Sequence, residues 1–177
     1  MPEITVAHTA ELDGRMLRVI RALVDDAFDG QATDDDWNHA LGGIHAVVIE
    51  HGEPIGHGSV VQRRLIHRNR TLRAGYVEAV AVRADRRRQG VGNALMARLD
   101  RVIRGGYELG ALGATELGAG LYRARGWEQW RGRTWGLTPS GIVRTQEEDG
   151  DIYVLRVSED LELDGDLTCD WREGDLW

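Results

Sequence analysis

Two features of the segment Tyr76 to Gly92 have chemical potential. A glutamate, Glu78, sits inside a run of β-forming residues, Tyr76-Val77-Glu78-Ala79-Val80-Ala81-Val82. A basic, glycine-bearing turn follows, Arg87-Arg88-Gln89-Gly90-Val91-Gly92, and then an apolar helical pattern. Main-chain N–H groups at a helix start, with arginines and two close glycines, form a cradle for a pyrophosphate. A carboxylate in a strand is a candidate general base. The competing reading of Glu78 is an ion pair with Arg63 or Arg64, and on the residues alone the two readings weigh equally.

The rest of the chain must position these groups. Its 177 residues suit one domain over 1–177 with a real core. With 42% hydrophobic and 29% charged residues it reads as a soluble globular chain. No apolar run approaches the ~18 residues of a membrane span, and the first residues lack the basic start and apolar core of a signal peptide. The one cysteine, Cys169, permits no internal disulfide and no cysteine zinc site. The expected location is the cytoplasm. As an acyl-carrying nucleophile Cys169 has no flanking base, so an inert buried thiol is expected. The six histidines are scattered and form no metal-ligand pattern, so no metal is expected.

All 22 basic residues are arginine, which excludes Schiff-base lysine chemistry. Net charge is −8 over residues 1–60, +10 over 61–140 and −9 over 141–177. A basic middle suits an anionic ligand and acidic flanks suit a cationic one, although pairing between segments explains the same numbers. A net charge of −7 with a single phenylalanine argues against a nucleic-acid partner.

Periodicity predicts a strand over 4–8. Helical spacing of Leu12, Met16, Val19, Ile20, Leu23 and Ala27 follows, and then a short helix capped by Thr33. Strands are expected over 45–50, 54–66 and 72–83, and a helix from Val91 to the Gly105-Gly106 pair. Next come a strand over 109–112, a glycine-rich loop to Gly120, a brief helix bearing Tyr122, a strand over 127–135 and a last strand over 152–157. This order predicts an α/β (α+β) protein with a mixed sheet flanked by helices.

With Arg87, Gly90 and Gly92 in the Arg/Gln-x-x-Gly-x-Gly/Ala pattern, and Tyr122 followed by Gly126-Trp127, the chain resembles the GCN5-related N-acetyltransferases. A narrower resemblance covers most of the chain. Trp37, Leu41-Gly42-Gly43, Gln62 to Ile66, Gly75 to Glu78, Tyr122 to Trp127 and the ending Cys169-Asp170-Trp171-Arg172 with Gly174-Asp175 and Trp177 are similar to mycobacterial-type aminoglycoside 2'-N-acetyltransferases.

The resemblance implies the acyl-CoA N-acyltransferase fold, with a mostly antiparallel sheet, and acetyl-CoA as cosubstrate. It implies binding of coenzyme A by the main chain of Val80 and Val82 and by Arg87, Arg88, Gln89, Gly90, Val91 and Gly92. Glu78 would be the base, Tyr122 the acid for the departing thiolate, and the N–H of Val80 the oxyanion donor. Acceptor contacts would fall on Asp36, Glu78, Ala79, Gly113, Glu148, Asp175 and the carboxylate of Trp177. A homodimer is also implied.

Other readings remain for these positions. Asp36 also fits the third position of a capping box with Thr33. Asp175 and Trp177 also fit a frayed tail, against which the apolar bulk of Trp171 and Trp177 argues for docking. The chain departs from the family pattern at Gln31, where an aspartate is expected, and at Gly113, where a serine is expected. A different amine acceptor, such as a cell-wall amino sugar or a polyamine, and an acyl-CoA sensor without turnover are the alternative functions.

Overall fold

The computed structural model describes residues 2–158 and 160–177. The chain forms two compact units, residues 1–61 with 77–102, and residues 62–76 with 103–177. Two long strands contribute to both.

The first unit opens with β1 (Glu3–His8), a 3-10 turn (Thr9–Glu11), α1 (Gly14–Ala27) and α2 (Asp34–His39). Asp13 caps α1 by accepting from the Met16 N–H at 2.7 Å. The apolar stripe then faces inward: Ile20, Leu23 and Val24 are buried with Val47 and Ala81, and Leu12, Met16 and Trp37 pack against them. β2 (Ile44–Glu50) pairs antiparallel with β1 and with the start of β3 (Glu53–His67), the second pairing closing at the His51-Gly52 turn, where both residues have positive φ. The unit ends with the last part of β4 (Arg70–Val82) and with α3 (Val91–Gly106) as far as Val102.

Two glycines of β3 let α3 lie close. A Cβ on Gly56 would come 2.7 Å from Val91 Cγ1, and one on Gly58 would come 3.0 Å from Leu99 Cδ1. Leu95 and Leu99 are fully buried there, each contributing about 2 kcal/mol.

In the second unit the first part of β4 pairs parallel with β5 (Leu109–Gly113). After α4 (Ala119–Ala124) come β6 (Glu128–Gln129), β7 (Thr134–Thr138), β8 (Gly141–Arg144), β9 (Ile152–Arg156) and β10 (Leu167–Cys169). β9 is antiparallel to β5 and β6, β7 to β8, and β10 lies parallel to β7 and antiparallel to the end of β3.

Three expectations need correction. The strand expected over 127–135 is broken into β6 and β7. The Arg131 and Gly132 N–H groups turn to donate to the Leu163 carbonyl at 2.8 and 2.9 Å. A Cβ on Gly132 would lie 1.9 Å from the Gly165 carbonyl oxygen, so this crossing requires glycine. The strand at 152–156 is not the last one, since β10 follows it. Of the two tail tryptophans only Trp177 docks, at 5% exposure, whereas Trp171 is 45% exposed.

Candidate active site

The chemical groups in the first unit cluster on β4 and the start of α3. Glu78, Ala79 and Val80 are half-buried near the end of β4. Ala79 has φ +50°, a left-handed conformation that costs a non-glycine residue about 1 kcal/mol. Such a residue inside a strand interrupts the regular pleat and re-aims the groups on either side of it. The strained residue therefore lies between Glu78 and Val80, to which the family resemblance gives the roles of base and oxyanion donor.

The Ala79 carbonyl accepts a hydrogen bond from His57 Nδ1 at 2.9 Å. His57 Nε2 lies 2.9 Å from His45 Nδ1, and His45 Nε2 lies 2.7 Å from Thr9 Oγ1. Both imidazoles are fully buried. Burial, more than the neighbouring histidine, holds His45 down to about 4 and His57 to about 3, so both are neutral near pH 7. Sequence reading left these residues as scattered histidines. The signal was the hairpin register, which sets Val47 opposite His57 and His45 opposite Ser59, making the two histidines diagonal neighbours on one face.

The turn after β4 mixes backbone conformations of both hands before the helix. Residues 84–86 form a 3-10 turn, Arg88 has φ +59° and Gly90 φ +84°, and α3 starts at Val91. Alternating left-handed residues point successive N–H groups to one side, and the first turn of a long helix adds its own donors. Gly90 is exposed, and a Cβ there would meet nothing within 4 Å, so its surroundings are open.

The arginines of this turn divide by partner. Arg86 pairs with Glu50 and Asp85, and Arg83 with Asp85. Arg87 braces the turn by donating to the carbonyls of Val82 (3.2 Å) and Ala27 (3.4 Å). Gln89 donates to the Asp85 carbonyl at 2.7 Å, and Arg88 is exposed. The strained residue at Ala79, the strand end at Val82 and the turn from Arg87 to Gly92 thus lie within one short stretch of chain.

Asp36 completes the capping box of α2. Its Oδ2 accepts from Thr33 N at 2.8 Å and from Thr33 Oγ1 at 2.9 Å.

In the second unit Tyr122 lies on α4 and is 7% exposed. Its ring sits 6.2 Å from that of Trp127 and 6.5 Å from that of Tyr153. Burial pushes its phenol up to about 12, so the group is a reliably protonated donor. Gly113 is exposed at the end of β5, and a Cβ there would meet only Tyr76 Oη at 3.7 Å.

Glu148 and Asp175 come together. Glu148 ends a 3-10 turn (Gln146–Glu148) that is anchored by Asp149, whose Oδ1 accepts from Thr134 N (3.0 Å) and Arg144 Nη1 (2.9 Å). Burial first, then the negative charges of Asp175, Glu147 and Asp151, push Glu148 from its ordinary 4.5 up to about 7. The tail is held by side chains. Trp177 Nε1 donates to Thr145 Oγ1 at 2.9 Å, and Arg172 Nε donates to the Asp175 carbonyl at 2.7 Å. Arg172 also donates to the main-chain oxygen of Trp177. Asp175 stays exposed beside this anchor.

The raised Glu148 has a consequence for stability. The folded state binds the extra proton between about pH 4.5 and 7, so its stability falls as pH rises across that window. Glu148→Gln is expected to melt with wild-type Tm at pH 4.5 and a few degrees higher at pH 8, a gain of ~1 kcal/mol after allowance for solvent screening. Scanning calorimetry at the two pH values checks this. An equal difference at both would refute the titration.

Other assignments are settled by partners. Arg63 Nε donates to Asp170 Oδ1 at 2.8 Å, and its guanidinium lies 4.7 Å from the Tyr76 ring centroid. Cys169 is buried, with its thiol pushed up to about 11 by burial and 3.3 Å from the Leu176 carbonyl that it donates to, a poor nucleophile. Among the described residues no group of three or more His, Cys, Asp or Glu side chains is placed to hold a metal ion. Among the described residues no helix is long and apolar enough to cross a membrane.

Comparison with known proteins shows the family and the fold. A family model described as an acetyltransferase (GNAT) domain matches residues 12–130. An aminoglycoside 2'-N-acetyltransferase from Mycolicibacterium fortuitum is 48% identical over 176 residues, covering 97% of this chain and 90% of the relative. A GNAT family N-acetyltransferase from Escherichia coli, solved in complex with CoA, superposes with a TM-score of 0.67 at 18% identity, covering 97% of this chain and 90% of that one. A GNAT family acetyltransferase from Brucella melitensis, solved with acetyl-CoA, gives 0.63 at 16% identity, covering 93% and 94%. With a family model over two thirds of its length and a relative at 48% identity, the chain belongs to the GCN5-related N-acetyltransferases.

Proposed function

We propose that this N-acetyltransferase transfers the acetyl group of acetyl-CoA to the 2'-amine of aminoglycosides. The transfer would be direct, within a ternary complex in the cytoplasm, and would confer resistance by removing a charge that the drug uses to hold RNA. The observation that carries the reading is the 48% identity, over 97% of the chain, to a relative bearing that activity in its name. Charge supports it as well: a basic cradle suits the phosphates, and acidic groups suit a polycationic sugar.

The proposed roles follow from residue chemistry. The cosubstrate supplies an activated acetyl group as a thioester. Main-chain donors from Arg88 to Gly92 would hold its pyrophosphate, with Arg87 and Gln89 stiffening the turn, while the strand edge at Val80 and Val82 would pair with its amide arm. Glu78 would take a proton from the acceptor ammonium, directly or through water. The Val80 N–H would face the negative charge that develops on the carbonyl oxygen. Tyr122 would give its phenolic proton to the leaving sulfur.

Asp36, Ala79, Gly113, Glu148, Asp175 and Trp177 would border the acceptor. Asp36 would do so while capping α2. Gly113 and Gln31 leave two fewer polar contacts than the family pattern, which shifts the preference among aminoglycosides. We assign the two units jointly to one acetyltransferase domain over 1–177, and a homodimer on the family likeness.

The test is thiol release from acetyl-CoA with tobramycin, which carries a 2'-amine, in parallel with kanamycin A, which carries a 2'-hydroxyl. Release with tobramycin alone, with the acetyl group located by mass spectrometry, is the expected result. Equal release with both would overturn the regiochemistry. Release with neither would overturn the aminoglycoside assignment and turn attention to other amines.

A further inference from the structure

Carbonyl oxygens only accept hydrogen bonds, and this fixes every proton in the buried chain that ends at Ala79. His57 must carry its proton on Nδ1 to donate to the Ala79 carbonyl at 2.9 Å. Its Nε2 is then an acceptor, so the contact at 2.9 Å requires a proton on His45 Nδ1. His45 Nε2 becomes an acceptor in turn, and the single Thr9 hydroxyl proton goes to it at 2.7 Å rather than to the Gly43 carbonyl at 3.3 Å. The Gly42 N–H donates to Thr9 Oγ1 at 2.9 Å and closes the outer end. Every bond in the chain points the same way, toward Ala79.

The Ala79 carbonyl and the Val80 N–H belong to one planar trans peptide, so they point in opposite directions. Holding the carbonyl aims the N–H. Accepting a hydrogen bond also polarises the peptide and strengthens its N–H as a donor, an effect that accumulates along an aligned chain of bonds. This matters because Ala79 is held at φ +50°, a strained conformation that persists only when its surroundings over-determine it. Packing fixes its side chain against the Ile20, Leu23 and Val24 cluster, but only a donor fixes the direction of the peptide plane.

We propose that His57, backed by His45 and Thr9, is a positioning residue for acetyl transfer: it sets the Ala79–Val80 peptide so that the Val80 N–H faces the reacting carbonyl. The inference rests on the reading of Val80 as oxyanion donor. Nothing moves along the chain. Both imidazoles stay neutral at working pH, held so by burial, and the chain acts by orienting and polarising the peptide, with no proton transferred.

The test compares two substitutions of similar polarity. In His57→Asn the side-chain amide NH2 falls where Nδ1 stood and keeps a donor for Ala79. In His57→Gln the amide reaches the Nε2 position instead and leaves the carbonyl bare. The expected kcat loss is roughly 10–100-fold for His57→Gln and for His57→Leu, part of what removing an oxyanion donor costs, and less than about fivefold for His57→Asn. KM for acetyl-CoA should stay within about twofold. Equal kcat for the Asn and Gln variants, or a His57→Leu variant at wild-type kcat, would overturn the proposal.

Glu78→Gln in the same assay separates this from the base assignment. A wild-type rate there with a slow His57→Leu would sink the base and sustain the positioning role. If the His57 variants do not fold, nitrogen NMR of the wild-type protein decides. Both rings should show neutral Nδ1–H tautomers from pH 8 down to about 5, and an Nε2–H tautomer or a charged ring at pH 7 would overturn the chain.

Discussion

Glu78→Gln is expected to lower kcat for aminoglycoside acetylation by roughly 10²–10³-fold, within the range that positioned proton transfer contributes. The change is close to isosteric, keeps a polar group in the half-buried strand position and removes only the ability to accept a proton. An acceptor amine arrives mainly as ammonium and has no lone pair to attack with until that proton leaves. The turn proposed to hold the pyrophosphate begins separately at Arg87, so KM for acetyl-CoA should stay within about twofold. The deficit should shrink as pH rises, because solution then supplies more free amine. Steady-state thiol release from pH 6 to 9, with single-turnover rates to show that chemistry is limiting, measures both effects. An unchanged single-turnover rate would remove Glu78 from the reaction.

That experiment targets a residue the sequence already singled out, and the reason is local. A glutamate among valines, and arginines and glycines before a helix, are patterns contained in fewer than twenty neighbouring residues, and the strand, turn and helix there lie where that pattern predicts them. The stripe from Leu12 to Ala27 was legible for the same reason, since a helix's buried face is written in its own spacing. What failed was decided at long range. β6 and β7 part because Gly132 must pass the Gly165 backbone, a contact between segments 33 positions apart. β10 has only three residues and exists because β3 and β7 flank it, and three residues carry no periodicity.

The same division runs through the site. The Asp36 carboxylate reads equally as a helix cap and as a substrate contact from sequence, and its two bonds to Thr33 show that the cap is made. The His45–His57 pair required the register of a hairpin, and the raised Glu148 required the tail at Asp175 to meet the segment 147–151. Chemistry carried by one segment was visible in the sequence, and chemistry made by converging segments was not.

Tyr122→Phe is expected to cost roughly 10²-fold in kcat, with Tm within about two degrees of wild type. The ring keeps its packing beside Trp127 and Tyr153 at 6.2 and 6.5 Å, so the substitution removes a proton and little else. A phenol held at about 12 looks mismatched to a departing thiolate, whose free thiol titrates near 8.5. The mismatch is smaller than those values suggest, because the burial that disfavours phenolate also disfavours a thiolate beside it. The intrinsic gap of about 1.5 units then amounts to ~2 kcal/mol, which a short hydrogen bond to the developing sulfur charge offsets. Because the phenol stays protonated to about pH 12, no fall in kcat between pH 8 and 10 should trace to Tyr122. A basic limb in that range that disappears in Tyr122→Phe would contradict the burial. Wild-type kcat in the phenylalanine variant, with chemistry limiting, would leave solvent to protonate the leaving sulfur.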